Sequence, residues 1–510
     1  MPKSYINTEP GAMRALLNNF DPIKQVYNRL LSLTLTGHKI DKVEMIVLGT
    51  RDVYPEEYKE EFIKLYDACN TFPAFYENVT LKQDQSRALK YTIKDYDIDY
   101  PTTLEDSQTV NETPSRIIGL TVETRPEYVT DDNCRFWRRL GVTRLEMGIQ
   151  SSNDEVLKAN KRHDHACSRM AVHKLRQYGF KMSVHLMPGL YGSDNKKDLQ
   201  TFVDVFSDPH VKPDEIKFYP TAVIPNTELY DLYREGKYKP LETETIKKLI
   251  RSVFLDIIPP YTRIKRLIRD IPSTEIVAGS NVTNLSQLTH QELKKKLAGT
   301  KEIQALYARL YELRSYSSVE NYLSDKIENN QNELSVIQTS AVAAPDLESY
   351  RNFVSIDTRS REIRHKFEKQ KLPQVKEETK TEEILVIREY NSSVGKEYFI
   401  SFEDSLGYLY GFTRLMLPFE SEAINRDGLA DHAQIRELHV YGKVETLNKK
   451  EKNEKERKTQ HTIGKKLMQT AEKIAQANGY AFLSVIAGIG VKKYYEKLYD
   501  REGTYVVKKI

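Results

Sequence analysis

Ile117-Ile-Gly-Leu-Thr-Val-Glu-Thr-Arg-Pro126 and, further on, Thr143-Arg-Leu-Glu-Met-Gly-Ile-Gln150 are the stretches on which the fold turns. Each is a short β-rich run that ends on polar side chains. Residues 132–140 between them form an amphipathic stretch at helical spacing. Strand, helix, strand predicts parallel neighbours, because a parallel connection has to cross over and usually does so through a helix. The pattern extends outward. Residues 43–49, 181–187 and 215–219 read as strands, and 166–178 and 199–206 as helices. A parallel sheet, curled or closed into a barrel, is the expectation. In such folds chemistry collects at the C-terminal strand ends. Here those ends read Glu123-Thr-Arg-Pro126, Gln150, His185-Leu-Met-Pro188 and Lys217-Phe-Tyr-Pro220. A buried sheet needs none of these polar groups, so their convergence predicts a pocket.

A second unit begins near Ile384. Residues 384–387, 397–402, 408–417 and 435–440 read as successive antiparallel strands, with a turn at 404–407. A helix follows over 463–478, with Ile463, Leu467, Ala471, Ile474 and Ala475 at helical spacing and Gly479 as its stop. Residues 482–486 read as a further strand, and a helix carrying Tyr494 and Tyr495 comes next. Between the two units, 286–383 reads as a helical insertion and linker, with Asn329-Asn-Gln-Asn332 and a run dense in both charges at 366–383. The expected organisation is therefore 1–285, 286–383 and 384–510.

A chain of 510 residues is too long for one ordinary core. With 29% charged and 39% hydrophobic residues it reads as globular. No stretch approaches the roughly 20 apolar residues that span a bilayer, and the N-terminus has no signal-peptide core. A cytoplasmic or nuclear location and no membrane partner are expected. Cys69, Cys134 and Cys167 are far apart in the chain. Their spacing argues against a disulfide framework and against any metal site, since an iron–sulfur cluster needs at least three thiolates together. The net charge of +4 says little, but 158–181 and 247–269 are locally basic. Lys161, Arg162, Arg266 and Arg269 are the candidates there for contact with a phosphate backbone, against the plain alternative of solvated helix faces.

The second unit also carries a cofactor pattern. A strand, a glycine-containing turn and a helix N-terminus hold the pyrophosphate of coenzyme A, because the first helical N–H groups lack partners and a small residue lets the backbone approach. Here the turn is Gln460-His-Thr-Ile-Gly464-Lys465, with Glu437-Leu-His-Val440 before it and Tyr494-Tyr495 after it. Each part has a bland reading: a turn glycine, a core histidine at His439, a pair of tyrosines shared between core and surface.

Many short runs, in one order, resemble the catalytic subunit of the Elongator complex. They include Pro2-Lys-Ser-Tyr5, Gly37-His38, Asp41-Lys-Val-Glu44, Glu123-Thr-Arg-Pro126, Gly148-Ile-Gln-Ser151, Lys217-Phe-Tyr-Pro-Thr221, Arg269-Asp-Ile-Pro272 and Arg436-Glu-Leu-His-Val-Tyr-Gly442. The resemblance covers the chain apart from an insertion around 295–347. It implies an α/β chain: a radical-SAM-type parallel (β/α) partial barrel followed by a GNAT-type α/β acetyltransferase domain. It implies an enzyme that acylates the wobble uridine of transfer RNA from acetyl-CoA. Lys42, Glu437, Leu438, His439, Val440, Ile463, Gly464, Lys465 and Tyr495 would bind acetyl-CoA. Glu123, Arg125 and Gln150 would line an S-adenosylmethionine pocket, and Tyr495, Tyr494 and Lys217 would serve catalysis. Transfer RNA, other Elongator subunits or a second copy would be its partners.

The sequence also departs from that family. Three cysteines that ligate a [4Fe-4S] cluster precede Pro-Lys-Ser-Tyr in the family, and here the sequence starts at that motif. Gly49-Thr-Arg-Asp52 and the 460–465 turn are each one glycine short. Ser355 and Ser360 stand where many relatives carry cysteines thought to bind zinc. Two further readings stay open: a transfer-RNA-binding scaffold that keeps the fold without the chemistry, and a protein lysine acetyltransferase.

Overall fold

A computed structural model describes residues 7–49, 57–82, 90–93, 103–110, 115–269, 271–282, 284–297, 301–311, 315–316, 324, 354–363, 383–404, 406–419, 429, 431–441 and 454–510. Six strands form the first sheet: β1 Lys42–Val47, β2 Arg116–Thr124, β3 Val142–Gln150, β4 Lys181–Leu186, β5 Glu215–Phe218 and β6 Arg263–Arg266. They lie side by side in sequence order and all pair in parallel, giving a curled half-barrel. The two faces differ in chemistry because successive side chains alternate. Leu120, Val122, Leu145, Met147, Val184, Ile216 and Phe218 are buried on the apolar face. Helices α1 Asp131–Arg139, α2 His165–Gln177 and α3 Asn195–Ser207 follow β2, β3 and β4. Each begins on a side-chain cap: Thr130 accepts from the Asn133 N–H, Asp164 from Cys167, and Asp194 from Lys196 and Lys197. Residues 263–266, read from sequence only as part of a basic patch, form β6. Arg-Ile-Lys-Arg has one apolar position, too few to announce a strand.

The second sheet has eight strands: β7 Ser315–Tyr316, β8 Ile384–Asn391, β9 Gly395–Glu403, β10 Leu409–Pro418, β11 His432–Val440, β12 Phe482–Val485, β13 Asp500–Glu502 and β14 Tyr505–Lys509, in the order β13-β14-β12-β11-β10-β9-β8-β7. Only β11 and β12 pair in parallel. Helix α4 Glu454–Ala477 packs Ile463, Leu467, Ala471, Ile474 and Ala475 onto this sheet. The helix starts at Glu454, not at Ile463. The charged run before Ile463, which offers no apolar periodicity, is helical all the same.

The intervening segment is more than a tether. Leu285–Leu297 and Lys301–Tyr311 are helices. Residues 354–363 are largely buried. Within them Arg361 donates to the Ile356, Pro260 and Gly407 carbonyls and pairs with Glu403 at 2.8 Å. The stretches 325–350 and 364–382 lie outside the described residues.

Two devices dock the sheets. The first is ionic and fully buried. Arg436 of β11 donates to both oxygens of Asp214 at 2.9 and 2.8 Å and to Glu397 of β9 at 3.1 and 3.0 Å. Arg414 sits 3.4 Å from Asp214, and Arg176 of α2 lies 3.2 Å from Glu397. Burial alone would raise the Asp214 pKa; Arg436 and Arg414 hold it well below the usual carboxylate range. The second device is main chain. A Cβ at Gly488 would fall 2.0 Å from the Ile118 carbonyl oxygen, and one at Gly490 would fall 2.8 Å from that of Ile117. The chain leaving β12 therefore lies directly against β2, and only glycine permits that approach.

Asp214→Ala would leave Arg436 buried without half of its countercharge, and is expected to cost about 3–5 kcal/mol in urea unfolding. The pH dependence has a definite sign. Asp214 and Glu403 both have depressed pKa values, Glu403 to about 2 under Arg361 and Arg388. Their stabilisation is present above the unfolded carboxylate pKa of about 4 and is lost as pH falls from there toward the folded values. Thermal melts should therefore hold level at neutral pH and decline below about pH 5, with a shallower acid decline in the Asp214→Ala variant.

Candidate functional site

The polar face of the half-barrel is a lumen of charges. In-register neighbours place Glu123 beside Glu146, Glu146 beside Ser183, Gly148 beside His185 and His185 beside Lys217. Glu146 is fully buried and takes ammonium groups from Lys217 and, at 2.6 Å, from Lys265. His185 Nε2 is 3.6 Å from it. Burial works against ionising Glu146, but His185, Lys265 and Lys217 outweigh it and hold its pKa far down. Burial pushes the His185 pKa down, which favours the neutral ring. Glu215 joins Lys181 at 2.9 Å to Arg144 and Lys265, both at 3.7 Å. Lys181 also pairs with Glu437 on β11 of the second sheet. A row of alternating charges thus runs from the second domain to the mouth of the first.

At that mouth Glu123 accepts from the Gly49 N–H at 3.0 Å. Ligand atoms of Glu123, Glu146 and His185 lie within 4.8 Å of one another. Two ammonium groups already neutralise Glu146, so this group is an ionic junction and not a metal site. Gln150 ends β3 at a φ of 71°, a left-handed conformation unusual for a side-chain-bearing residue. Its Oε1 is buried without a hydrogen bond, as are Nε of Arg125 and Nε of Arg162. Arg162 donates to the Gly148 carbonyl at 3.2 Å. Burial and the nearby Arg125 lower its pKa. Unmet buried polar atoms at three adjoining positions mark a place for a polar ligand.

An iron–sulfur cluster does not fit the cysteines of this chain. Cys69 and Cys134 are buried and Cys167 partly so, all as free thiols on separate helices. Burial pushes the Cys69 thiol up to about 12. No cysteine joins another in a cluster with metal-ligand spacing among the described residues.

The second cleft opens where β11 and β12 part. Their pairing ends at Ile435 and Val485, and Ile486 makes the last contact by donating to the Ile435 carbonyl. On its other edge β11 stays paired with β10 through Glu437, Leu438, His439 and Val440. A Cβ at Gly464 would find only Val440 at 3.5 Å and the Tyr494 hydroxyl at 3.9 Å. So Val440, Gly464 and Tyr494 do meet across a cleft. The expected phosphate cradle does not form. Ile463, Gly464 and Lys465 lie inside α4, where N–H groups bond within the helix, and Ile463 is buried in the core. Tyr495 packs against that same core with its ring edge-on to Tyr499, and burial raises its pKa. His439 stacks on Phe412 and meets Tyr441 at a tilt of 50°. Lys42 is exposed at the start of β1, paired in register with Arg116. The side chains of Gln460 and His461 lie outside the described residues.

Several cations of the two basic runs are paired within the fold. Arg176 and Lys181 are bound internally, Lys174 pairs with Asp131, and Arg169 with Asp208. In the other patch Arg263 pairs with Glu362 and Lys265 with Glu146. Lys161 meets Glu228 at 2.6 Å on the surface, Arg269 is tied to the buried Glu9 at 2.7 Å, and Arg266 is exposed on β6. Arg162 belongs to the mouth with Arg125. Arg144, Glu146, Glu215 and Lys265 escaped notice in the sequence as site residues. Their signal was charge recurring at every second strand position.

Comparison with known proteins agrees with this geometry. Residues 40–205 match the Radical SAM superfamily and 213–295 the Radical_SAM C-terminal domain. The chain is 32% identical to the tRNA uridine(34) acetyltransferase of Methanocaldococcus jannaschii over 522 residues, covering 100% of this chain and 78% of that protein. It is 29% identical to Elongator complex protein 3 of Saccharomyces cerevisiae and 30% to that of Homo sapiens, covering 76% and 77% of those proteins and 100% and 99% of this chain. Among solved structures it is similar to the archaeal Methanocaldococcus infernus Elp3 with an N-terminus deletion (1–46), at a TM-score of 0.69 and 29% identity, covering 99% of this chain and 97% of that one.

Gly464→Ala tests the helical placement. In a helix interior with room for a methyl group, alanine should stabilise by about 0.5–1 kcal/mol in urea unfolding. A loss of stability instead would mean that the residue sits in a turn.

Proposed function

The chain belongs to the family of the tRNA uridine(34) acetyltransferases and Elongator complex protein 3, and from that premise we propose that it transfers an acyl group from acetyl-CoA to the wobble uridine of transfer RNA. The observation that carries the reading is the convergence of Glu123, Gln150 and Arg125 at the mouth of the half-barrel, with buried polar atoms left unmet. In this reading Glu123 and Gln150 hold the S-adenosylmethionine whose family chemistry activates the acetyl methyl group. Arg125 and Arg162, cations beside that mouth, receive the phosphates that flank the target base. Lys217, clamped by Glu146, fixes the floor of the pocket.

Acetyl-CoA would lie in the cleft between β11 and the chain leaving β12. The open edge of Glu437–Val440 offers backbone groups to an extended amide-containing arm, as a sheet edge does to a strand. Lys42 supplies a cation at the near edge of the first sheet. Tyr494, whose hydroxyl faces Gly464, would protonate a departing thiolate, while Tyr495 packs against it edge-on. Lys181 and Glu437 tie the two sites together.

The dispersed cysteines favour a second reading, a transfer-RNA-binding scaffold without turnover. Acetyl-CoA hydrolysis measured with and without transfer RNA separates the two. Stimulation by transfer RNA supports the enzyme, and its complete absence with RNA binding intact supports the scaffold. Tyr494→Phe is expected to lower stimulated hydrolysis by about a hundredfold with little change in acetyl-CoA affinity. Tyr495→Phe should have the smaller effect. Gln150→Ala should weaken S-adenosylmethionine binding by about fivefold or more in calorimetry, the loss of one polar contact; equal affinity would remove Gln150 from the pocket.

A further inference from the structure

A cavity of about 90 Å³ lies on the seam between the two domains. Gln108, Thr109 and Arg116 line it from the first domain, and Lys492, Lys493 and Arg501 from the second. Glu496 is the one carboxylate in its wall, against four cations. Lys492 opens helix α5 Lys492–Tyr495 and is only 6% exposed. Its ammonium group has no hydrogen bond or ion pair among the described residues. The Arg116 Nε is buried without a hydrogen bond. Burying a cation without a countercharge is costly, and folded proteins rarely tolerate it unless something arrives to pair it.

The surroundings add to that cost. Arg138, committed to the Thr504 carbonyl at 2.8 Å and stacked over Tyr505, stands close by. Burial, then Arg138 and Arg501, push the Lys492 ammonium down to about 7, with Glu496 opposing. A bound anion would reverse that depression. The cavity is separate from the cleft assigned to acetyl-CoA. At 100° per residue, Lys492 and Glu496 share one face of α5, while Tyr494 turns its hydroxyl to Gly464 on the opposite side. The volume admits a tetrahedral oxyanion, since a single water takes about 30 Å³ of the liquid.

We propose that Lys492, Arg116 and Arg501 form a phosphate-binding pocket that straddles the two domains. Its natural occupant is a phosphate carried either by an RNA backbone or by a nucleotide cofactor. The pocket stands on its own geometry and does not depend on the acyl-transfer reading.

Inorganic phosphate is the first probe. Thermal melts of the full chain are compared in phosphate and in sodium chloride at matched ionic strength. The parent should melt higher in phosphate, because a ligand that binds only the folded state stabilises it. Lys492→Met should melt higher than the parent without phosphate, because a lone buried charge is gone, and should lose the response to phosphate. Arg501→Gln, at an exposed position, should fold normally and weaken the response about fivefold. A phosphate response in Lys492→Met and Arg501→Gln equal to that of the parent overturns the proposal, and if Lys492→Met fails to fold, Arg501→Gln decides alone. The source is then read with an anticodon stem-loop RNA and with acetyl-CoA. A fivefold loss for RNA alone assigns an RNA phosphate, and a loss for acetyl-CoA alone assigns a nucleotide phosphate. No loss for either, with the phosphate response abolished, makes it a site for the free ion.

Discussion

Arg436 is the interaction on which the rest of the arrangement depends. Its guanidinium reaches from β11 into the first domain, and Asp214 and Glu397 hold it from opposite sides. Asp214 immediately precedes β5, and its Oδ2, besides taking Arg436, accepts from the Met182 N–H in β4. One carboxylate therefore sets the register of two strands in the first sheet and anchors a strand of the second. Arg414 and Arg176 complete the cluster from β10 and α2. Such a cluster adds little net stability over an apolar core, but it is intolerant of substitution, so it fixes geometry.

With that geometry fixed, the lumen becomes intelligible. A sheet covered by helices on one face can hold charge on the other only if each charge is paired. The pairing here is continuous, from Glu437 through Lys181 and Glu215 to Lys265, Glu146 and Lys217. At the strand ends Gln150 Oε1, Arg125 Nε and Arg162 Nε are buried without a hydrogen bond. The place where polar groups lack partners is where a substrate or cofactor has something to contribute.

Much of this was legible in the sequence. Alternating strand and helix patterns foretold the parallel sheet, because a buried apolar face imposes its periodicity whatever the partner. The polar strand ends are legible in the same way, as side chains that a buried sheet does not need. The misreadings share one cause. Arg176 and Lys181 look like members of a basic stripe, yet their carboxylates, Glu397 and Glu437, are supplied from another domain. Local charge counting has no access to such distant partners. The start of α4 was missed for a related reason. Its first turns are charged and add no apolar residue to the helical pattern, so the pattern begins at Ile463 while the backbone begins at Glu454. Around Gly488 and Gly490 nothing local in the sequence signals that another strand passes against them.

Those two glycines bear on how such a protein ages. Where Gly488 and Gly490 meet Ile117 and Ile118, the contact is backbone upon backbone. Side chains drift over evolutionary time, and an interface made of them must be repacked with each change. A contact between main chains has nothing to repack, and the same atoms meet in every descendant that keeps the glycines. At that point the seam between the two domains is set by backbone atoms, so a change of side chain elsewhere leaves this contact as it is.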